Sequence, residues 1–308
     1  MTAKKSPILE VRELKVSFEM YQKGLKKTTL NTIQSLNLDL YEGEILAVVG
    51  SSGSGKSLLA NAIMGILPPN ASVKGSILYK GKELKPALQR KLRGSEIALI
   101  PQSVDYLDPL MRVGKQVIGT KSNADKQKKA FKRYGLEEQV EKMYPFQLSG
   151  GMARRILIST AVTIAPSLII ADEPTPGLTL ELAMETLKHF KELARDGVAV
   201  LLITHDIDLA LSVADKIAVF YAGTTVEIAN AEDFRIGKEA LRHPYSKAFI
   251  EALPQNAFRP IAGSQPYAGN LPSGCLFAKR CPLRTDACAG KMTMRNLRGG
   301  EVLCVNAT

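Results

Sequence analysis

The chain has 308 residues, 45% of them apolar and 23% charged, with mean hydropathy near zero and a formal net charge of +11, a balance that suits a soluble globular protein with a sizeable core. It excludes a membrane-spanning helix, because the richest apolar stretch, AVTIAPSLIIA, is broken by Pro166 and falls short of the ~18 to 20 residues a span needs. The opening MTAKKSPILE has charge but no apolar segment behind it, so no secretory signal is expected and the chain is expected to stay in the cytoplasm with reduced thiols.

Residues 8–40 alternate polar and apolar positions (ILEVRELKVSF, IQSLNLDLY), predicting antiparallel strands. Five short apolar runs then suit buried parallel strands: EILAVVG (44–50), EIALIP (96–101), SLIIADE (167–173), VAVLLITH (198–205) and KIAVFYAG (216–223). Helix-like spacing lies between several of them, as from Leu180 to Ala194. Strands alternating with helices predict an α/β fold with a mainly parallel sheet core and an antiparallel sheet beside it. Residues 108–146 lack long apolar runs and predict a small helical subdomain, an insertion at about 103–165. The Pro/Gly-rich passage at 253–274 predicts a linker, hence a main domain at 1–254 and an extension at 255–308.

Lysines and arginines concentrate in the first thirty residues, at 121–133 and beyond Pro254. No aromatic residues interleave them and no nucleic-acid module accompanies them, so a solvated surface or an anionic membrane face is expected rather than a nucleic-acid partner.

The segment GSSGSGKS (50–57) follows a predicted strand and precedes a predicted helix, the context a phosphate-binding loop requires. Glycines let successive N–H groups and a helix N-terminus point at phosphate. The candidate nucleotide-binding residues are Gly50, Ser51, Ser52, Gly53, Ser54, Gly55, Lys56, Ser57 and Leu58, with Lys56 reaching the β- and γ-phosphates and Ser57 ligating Mg²⁺. At the end of SLIIADE, Asp172 is expected in the metal's coordination shell and Glu173 beside the attacking water.

With LSGGM (148–152), Gln102 after EIALIP and His205 after VAVLLIT, these motifs stand in an order that resembles the ATP-binding cassette (ABC) family, over roughly residues 8–255. The resemblance implies a P-loop ATPase working as a head-to-tail dimer, each nucleotide held between one subunit's P-loop and the other's signature. It implies that Ser149, Gly150 and Gly151 meet the partner's γ-phosphate, that Gln102 senses Mg²⁺ and the attacking water, and that His205 holds the γ-phosphate. Phe18, or Tyr21 in its stead, stands where the adenine-stacking aromatic is placed. Thr179 replaces the aspartate usual at the end of the D-loop, which puts the coupling of the two sites in doubt.

The methionine closing the signature, HPYSKAFIEALP (243–254) and GCLFAKRCP in the tail resemble the dipeptide, oligopeptide and nickel importer branch. That branch implies an ATPase peripheral to the cytoplasmic face of the inner membrane, a second homologous ATPase, two permeases and an extracytoplasmic substrate-binding protein. Peptides are the expected cargo and nickel or a metal chelate the alternative. A soluble cassette acting on ribosome or DNA would instead carry tandem cassettes or a long coiled coil, and neither is visible.

Cys275, Cys281, Cys288 and Cys304, spaced C-x5-C-x6-C-x15-C, supply four soft ligands, enough for zinc or an iron–sulfur cluster. Structural zinc favours tight C-x2-4-C pairs, which are missing, and some peptide-importer tails carry a four-iron cluster, so the cluster is expected to fix a tail too short to bury its own core. Zinc and four free thiols are the alternatives.

Overall fold

The computed structural model describes residues 6–21, 26–51 and 53–308. Its strands are β1 (Leu9–Tyr21), β2 (Lys27–Leu40), β3 (Ile45–Gly50), β4 (Ala71–Tyr79), β5 (Lys82–Glu83), β6 (Ile97–Ile100), β7 (Leu168–Asp172), β8 (Ala199–Ile203), β9 (Lys216–Tyr221), β10 (Thr224–Asn230), β11 (Arg295–Leu297) and β12 (Gly300–Val302). The helices are α1 (Lys56–Met64), α2 (Pro86–Leu92), α3 (Val113–Ile118), α4 (Ala124–Arg133), α5 (Gly150–Thr163), α6 (Leu180–Arg195), α7 (Ile207–Val213), α8 (Ala231–Ile236) and α9 (Pro244–Glu251).

The five apolar runs become one parallel array in the order β9-β3-β8-β7-β6. Residues in β3, β7 and β8 are buried along their whole length because helices cover one sheet face and the antiparallel strands with α1 cover the other. The alternating segment forms antiparallel β1, β2 and β4. β10 pairs antiparallel with β9 and touches β2 through Thr224 and Ser35, joining the two arrays. This is the α/β architecture with an antiparallel flank that the hydrophobic pattern predicts. Parallel order puts the carboxyl ends of β3, β6, β7 and β8 along one edge, where the loops bearing Gly50, Gln102, Glu173 and His205 emerge.

Between β6 and β7 the chain is helical, and α3, α4 and α5 close a separate small core around Val113, Phe131, Ile156 and Leu157. Beyond Glu251 regular structure is sparse: short turns, then the β11–β12 hairpin, whose Glu301 and Val302 pair with β10. Phe277 and Val302 are buried, and Phe277 packs edge-on against Tyr221 and Tyr245.

The basic tail is put to a use its composition did not predict. Arg280 donates to the Ile261 and Ala262 carbonyls, Arg295 to those of Cys304, Val305 and Ala307, and Arg298 to those of Glu239 and Leu241. Arg242, wholly buried just ahead of the tail, pairs with Glu227 and Asp233 and donates to the Leu297 carbonyl. These guanidinium groups satisfy backbone that no helix or sheet satisfies. They correct the expectation of a merely solvated or membrane-facing charge for this part of the chain.

No described helix is long and apolar enough to cross a membrane.

Candidate functional site

Gly50 ends β3 at φ 153°, and a side chain there would drive its Cβ to 2.2 Å from the Phe220 carbonyl oxygen. Gly55 at φ 96° closes the loop as the N-cap of α1, with no side chain capping the helix. The first N–H groups of α1 are therefore left for an anion, where the helix dipole also favours negative charge.

Lys56 folds back over the loop and donates to the Gly50 carbonyl at 2.8 Å and the Ser51 carbonyl at 3.2 Å. An ammonium has three donors, so one remains for a phosphate oxygen. Burial lowers the Lys56 pKa, opposed by the carboxylates of Glu173 and Asp172.

Asp172, the last residue of β7, is buried, and its Oδ1 has no hydrogen-bond partner. Burial pushes its carboxyl up, and a hydrogen bond from Ser57 pulls it back. A partnerless buried carboxylate oxygen beside a hydroxyl is a donor set that suits a hard divalent cation such as Mg²⁺. The buried Ser54 hydroxyl is likewise unpartnered.

Glu173 adopts φ 49°, a left-handed conformation that costs a non-glycine residue about 1 kcal/mol or more, and its N–H is tied to the Ile203 carbonyl at 2.9 Å. This turn aims the nearly buried carboxylate at His205, whose Nδ1 lies 2.9 Å from both carboxylate oxygens while the rest of the ring stays exposed. The pair can pass a proton between a water and the site's edge.

Gly53, Ser54, Gly55, Lys56, Ser57, Leu58, Gln102, Glu173 and His205 line one cavity of about 310 Å³, joined by Thr32 from β2. A larger cleft of about 690 Å³, between α4 and α6, contains none of the motif residues. Ser52 lies outside the described residues. Ser51 turns away from the cavity and donates to Gln265 at 2.6 Å.

Phe18 is half-buried in β1, opposite Leu30 and Ala71, and packs on the core beneath the antiparallel sheet without lining the cavity. Tyr21 is exposed under Lys27. Ser149, Gly150 and Gly151 also lie outside the cavity, at the start of α5, where Ser149 caps the helix at Met152. A side chain at Gly151 would meet the Gly177 carbonyl at 2.9 Å, so the signature packs against the loop that leads to Thr179.

Three contributors carry no motif. Thr32 arrives from the antiparallel sheet. Arg154, buried in α5, donates to the Pro101 carbonyl at 2.6 Å and to the Gln102 carbonyl at 2.5 Å, fixing the loop that carries Gln102. Gln265 comes from the tail. Two arginines after LSGGM were the available signal for Arg154; the other two had none.

The four cysteines are unpaired thiols: Cys275 feels the charge of the other three, Cys281 that of Cys288 and Cys304, and Cys304 that of Cys288. The Leu283 N–H points at Cys281 Sγ at 3.3 Å, Cys275 receives the Phe277 N–H and Cys304 that of Asn306. Cys288 receives the Asn306 amide at 3.5 Å. Burial pushes the thiols of Cys275, Cys281 and Cys304 up. Among the described residues no three His, Cys, Asp or Glu side chains are grouped to hold a metal ion, so neither the expected four-iron cluster nor the zinc alternative finds a ready-made site.

Comparison with known proteins matches residues 33–176 to the ABC transporter family and residues 226–288 to the C-terminal region of oligopeptide/dipeptide transporters. The dipeptide transport ATP-binding protein DppD of Bacillus subtilis is 36% identical, covering 91% of this chain and 88% of its own. The oligopeptide transport ATP-binding protein OppD of Escherichia coli is 33% identical, covering 96% and 91%. Among solved structures, the ATP-binding cassette MJ0796, a dimer bound to ADP and Pi, superposes with a TM-score of 0.63 at 26% identity, covering 72% of this chain and 98% of its own. CbiO1 of Clostridium perfringens, part of the transporter complex cbiONQ, gives 0.58 at 28% identity, covering 76% and 93%.

Proposed function

The chain belongs to the ABC transporter family as an ATP-hydrolysing subunit, and from that premise we propose that it powers import of dipeptides or oligopeptides. The match of residues 226–288 to the oligopeptide/dipeptide C-terminal region carries this choice, because that region lies outside the 33–176 match to ABC transporters in general. It also counts against a cassette acting on ribosome or DNA. Nickel or a metal chelate is the alternative cargo.

In this reading the N–H groups of residues 53–58 and Lys56 bind the phosphates. Ser57, Asp172 and Gln102 hold Mg²⁺, which when bound neutralises charge across the β- and γ-phosphates. Glu173 takes the proton of the attacking water, and His205 keeps that carboxylate oriented and contacts the γ-phosphate. The signature residues Ser149, Gly150 and Gly151 complete the site of a second, homologous ATPase. Two permeases receive the motion at the cytoplasmic face of the membrane, and an extracytoplasmic binding protein delivers cargo. Phe18 remains the candidate for adenine stacking. The main domain would end near residue 254, with 255–308 as its extension.

Uptake of a labelled dipeptide and of nickel, in cells carrying the parent chain or Glu173→Gln, tests the cargo. Loss of peptide uptake with nickel uptake intact supports it, and the reverse selects the alternative.

We further propose that the four cysteines bind a [4Fe-4S] cluster. Four thiols in one short appendix, each receiving a polar N–H, are what supports this reading. Anaerobically purified protein should be brown and hold iron and sulfide in proportion to chain, and Cys281→Ser should bleach it. Colourless protein without iron rejects the cluster, and stoichiometric zinc in that sample restores the other metal.

A further inference from the structure

Ser51 is the one described residue of GSSGSGKS whose side chain is satisfied from outside the cassette: its hydroxyl donates to Gln265 Oε1 at 2.6 Å, across 214 positions of sequence. Its N–H and hydroxyl also contact the phenol oxygen of Tyr245. Gly50 sits so near β9 that a Cβ there would meet the Phe220 carbonyl oxygen. The entry to the phosphate loop is therefore clamped between β9, Tyr245 and Gln265.

What holds Gln265 there is the appendix. Residues 254–260 are exposed and form no regular structure, and their side-chain bonds, Gln255 to Asp208 and Asn256 to the Ile250 carbonyl, hold the start of the segment but cannot by themselves fix the strap that follows. Arg280 can: it donates to the Ile261 carbonyl at 3.0 Å, the Ala262 carbonyl at 2.8 Å and the Tyr221 hydroxyl at 3.2 Å. Its guanidinium lies 5.8 Å from the ring centres of both Tyr221 and Phe277, and Phe277 packs on Tyr245. The next residue is Cys281. One continuous set of contacts thus joins the cysteine cluster, Arg280, the strap, Gln265 and Ser51.

We propose that Gln265 is a positioning residue of the ATP site and that the cysteine-bearing appendix, acting through Arg280, sets the geometry of the phosphate loop. Nucleotide affinity then depends on whether the appendix is folded. This rests on residues 50–57 being the phosphate loop. The loop serves ATP binding, whereas proton transfer is assigned to Glu173 and His205, so the effect falls on KM more than on kcat.

The test uses the full-length chain in complex with its membrane partners. Gln265→Leu should raise the dissociation constant and KM for ATP about fivefold, the effect of one lost hydrogen bond, with kcat within about twofold. Ser51→Ala should do the same, Ser51→Thr should restore the parent value, and Ser51→Ala with Gln265→Leu should be no worse than either alone. Arg280→Lys, which keeps the charge but not the paired carbonyl bonds, should weaken ATP binding by a similar factor. ATP affinity within about twofold of the parent in both Gln265→Leu and Arg280→Lys overturns the proposal, as do fully additive effects of the Ser51 and Gln265 changes. If Gln265→Leu does not fold, Ser51→Ala against Ser51→Thr together with Arg280→Lys decides. Lys56→Ala is the control: retained ATP binding there overturns the phosphate-loop assignment itself, whereas lost binding there with an unaffected Gln265→Leu overturns only the strap.

Discussion

The parallel-sheet edge and the cysteine-bearing tail solve the same problem by opposite means. At the sheet edge, backbone polar groups are satisfied by ladders between β3, β6, β7, β8 and β9, and side chains are free to be unsatisfied, as Asp172 Oδ1 and the Ser54 hydroxyl are. In the tail, ladders are few, and Arg280, Arg295 and Arg298, helped by Arg242 from the cassette, donate to the carbonyls instead. Regular structure leaves reactive groups to spare for a ligand, while irregular structure consumes its polar side chains in holding itself. A site for phosphate is therefore expected at the first, and a fold that depends on a few anchors at the second.

The largest effect should come from the sheet edge. Glu173→Gln keeps the shape of the turn but removes the proton acceptor, and should lower ATP turnover roughly a hundredfold or more while ATP binding persists, as measured by turnover and nucleotide affinity on one preparation. Turnover close to the parent's would mean that another group accepts the proton.

Next comes the tail's deepest anchor. Arg242→Met would leave the fully buried Glu227 without its counter-charge, held only by the backbone N–H groups of residues 242 and 243, and should cost about 3 kcal/mol in denaturant unfolding. A loss below about 1 kcal/mol would show that the tail does not lean on this ion pair.

Arg154→Met probes a donor of the tail's kind placed at the sheet edge. Freed from the guanidinium, the Gln102 loop should loosen and turnover should drop about tenfold with ATP affinity within about twofold, the signature of a positioning residue. Equal losses in affinity would place its effect on the phosphate loop instead.

The smallest effect concerns His189 in α6, which bonds the Tyr134 hydroxyl at 2.5 Å and lies apart from both regions. Burial, then the charge of Arg133, pushes its pKa from the ordinary 6.5 down to about 4. The unfolded chain takes up a proton that the folded chain refuses, so this contribution is complete above pH 6.5 and is lost as pH falls toward 4. His189→Asn should flatten the pH dependence of the urea midpoint over that window. His243, pushed down to about 3 by burial, keeps part of the slope in either protein. An unchanged slope would remove His189 from the acid sensitivity.

The sequence by itself determined the sheet runs, their parallel character and the antiparallel flank, because period and burial are local properties written into consecutive residues. It also placed GSSGSGKS between a strand and a helix, where turn geometry depends on the glycines beside it. Only the tertiary structure decided that Thr32 lines the cavity, that Phe18 does not, and that Arg154 and Gln265 reach the loops they hold. The same is true of the arginines of the tail, since a count of charges is blind to whether a guanidinium faces water or a carbonyl. The physical reason is separation: a contact such as Ser51 to Gln265 leaves no mark on either neighbourhood of the chain, and exists only once the sheet edge and the folded appendix are brought together.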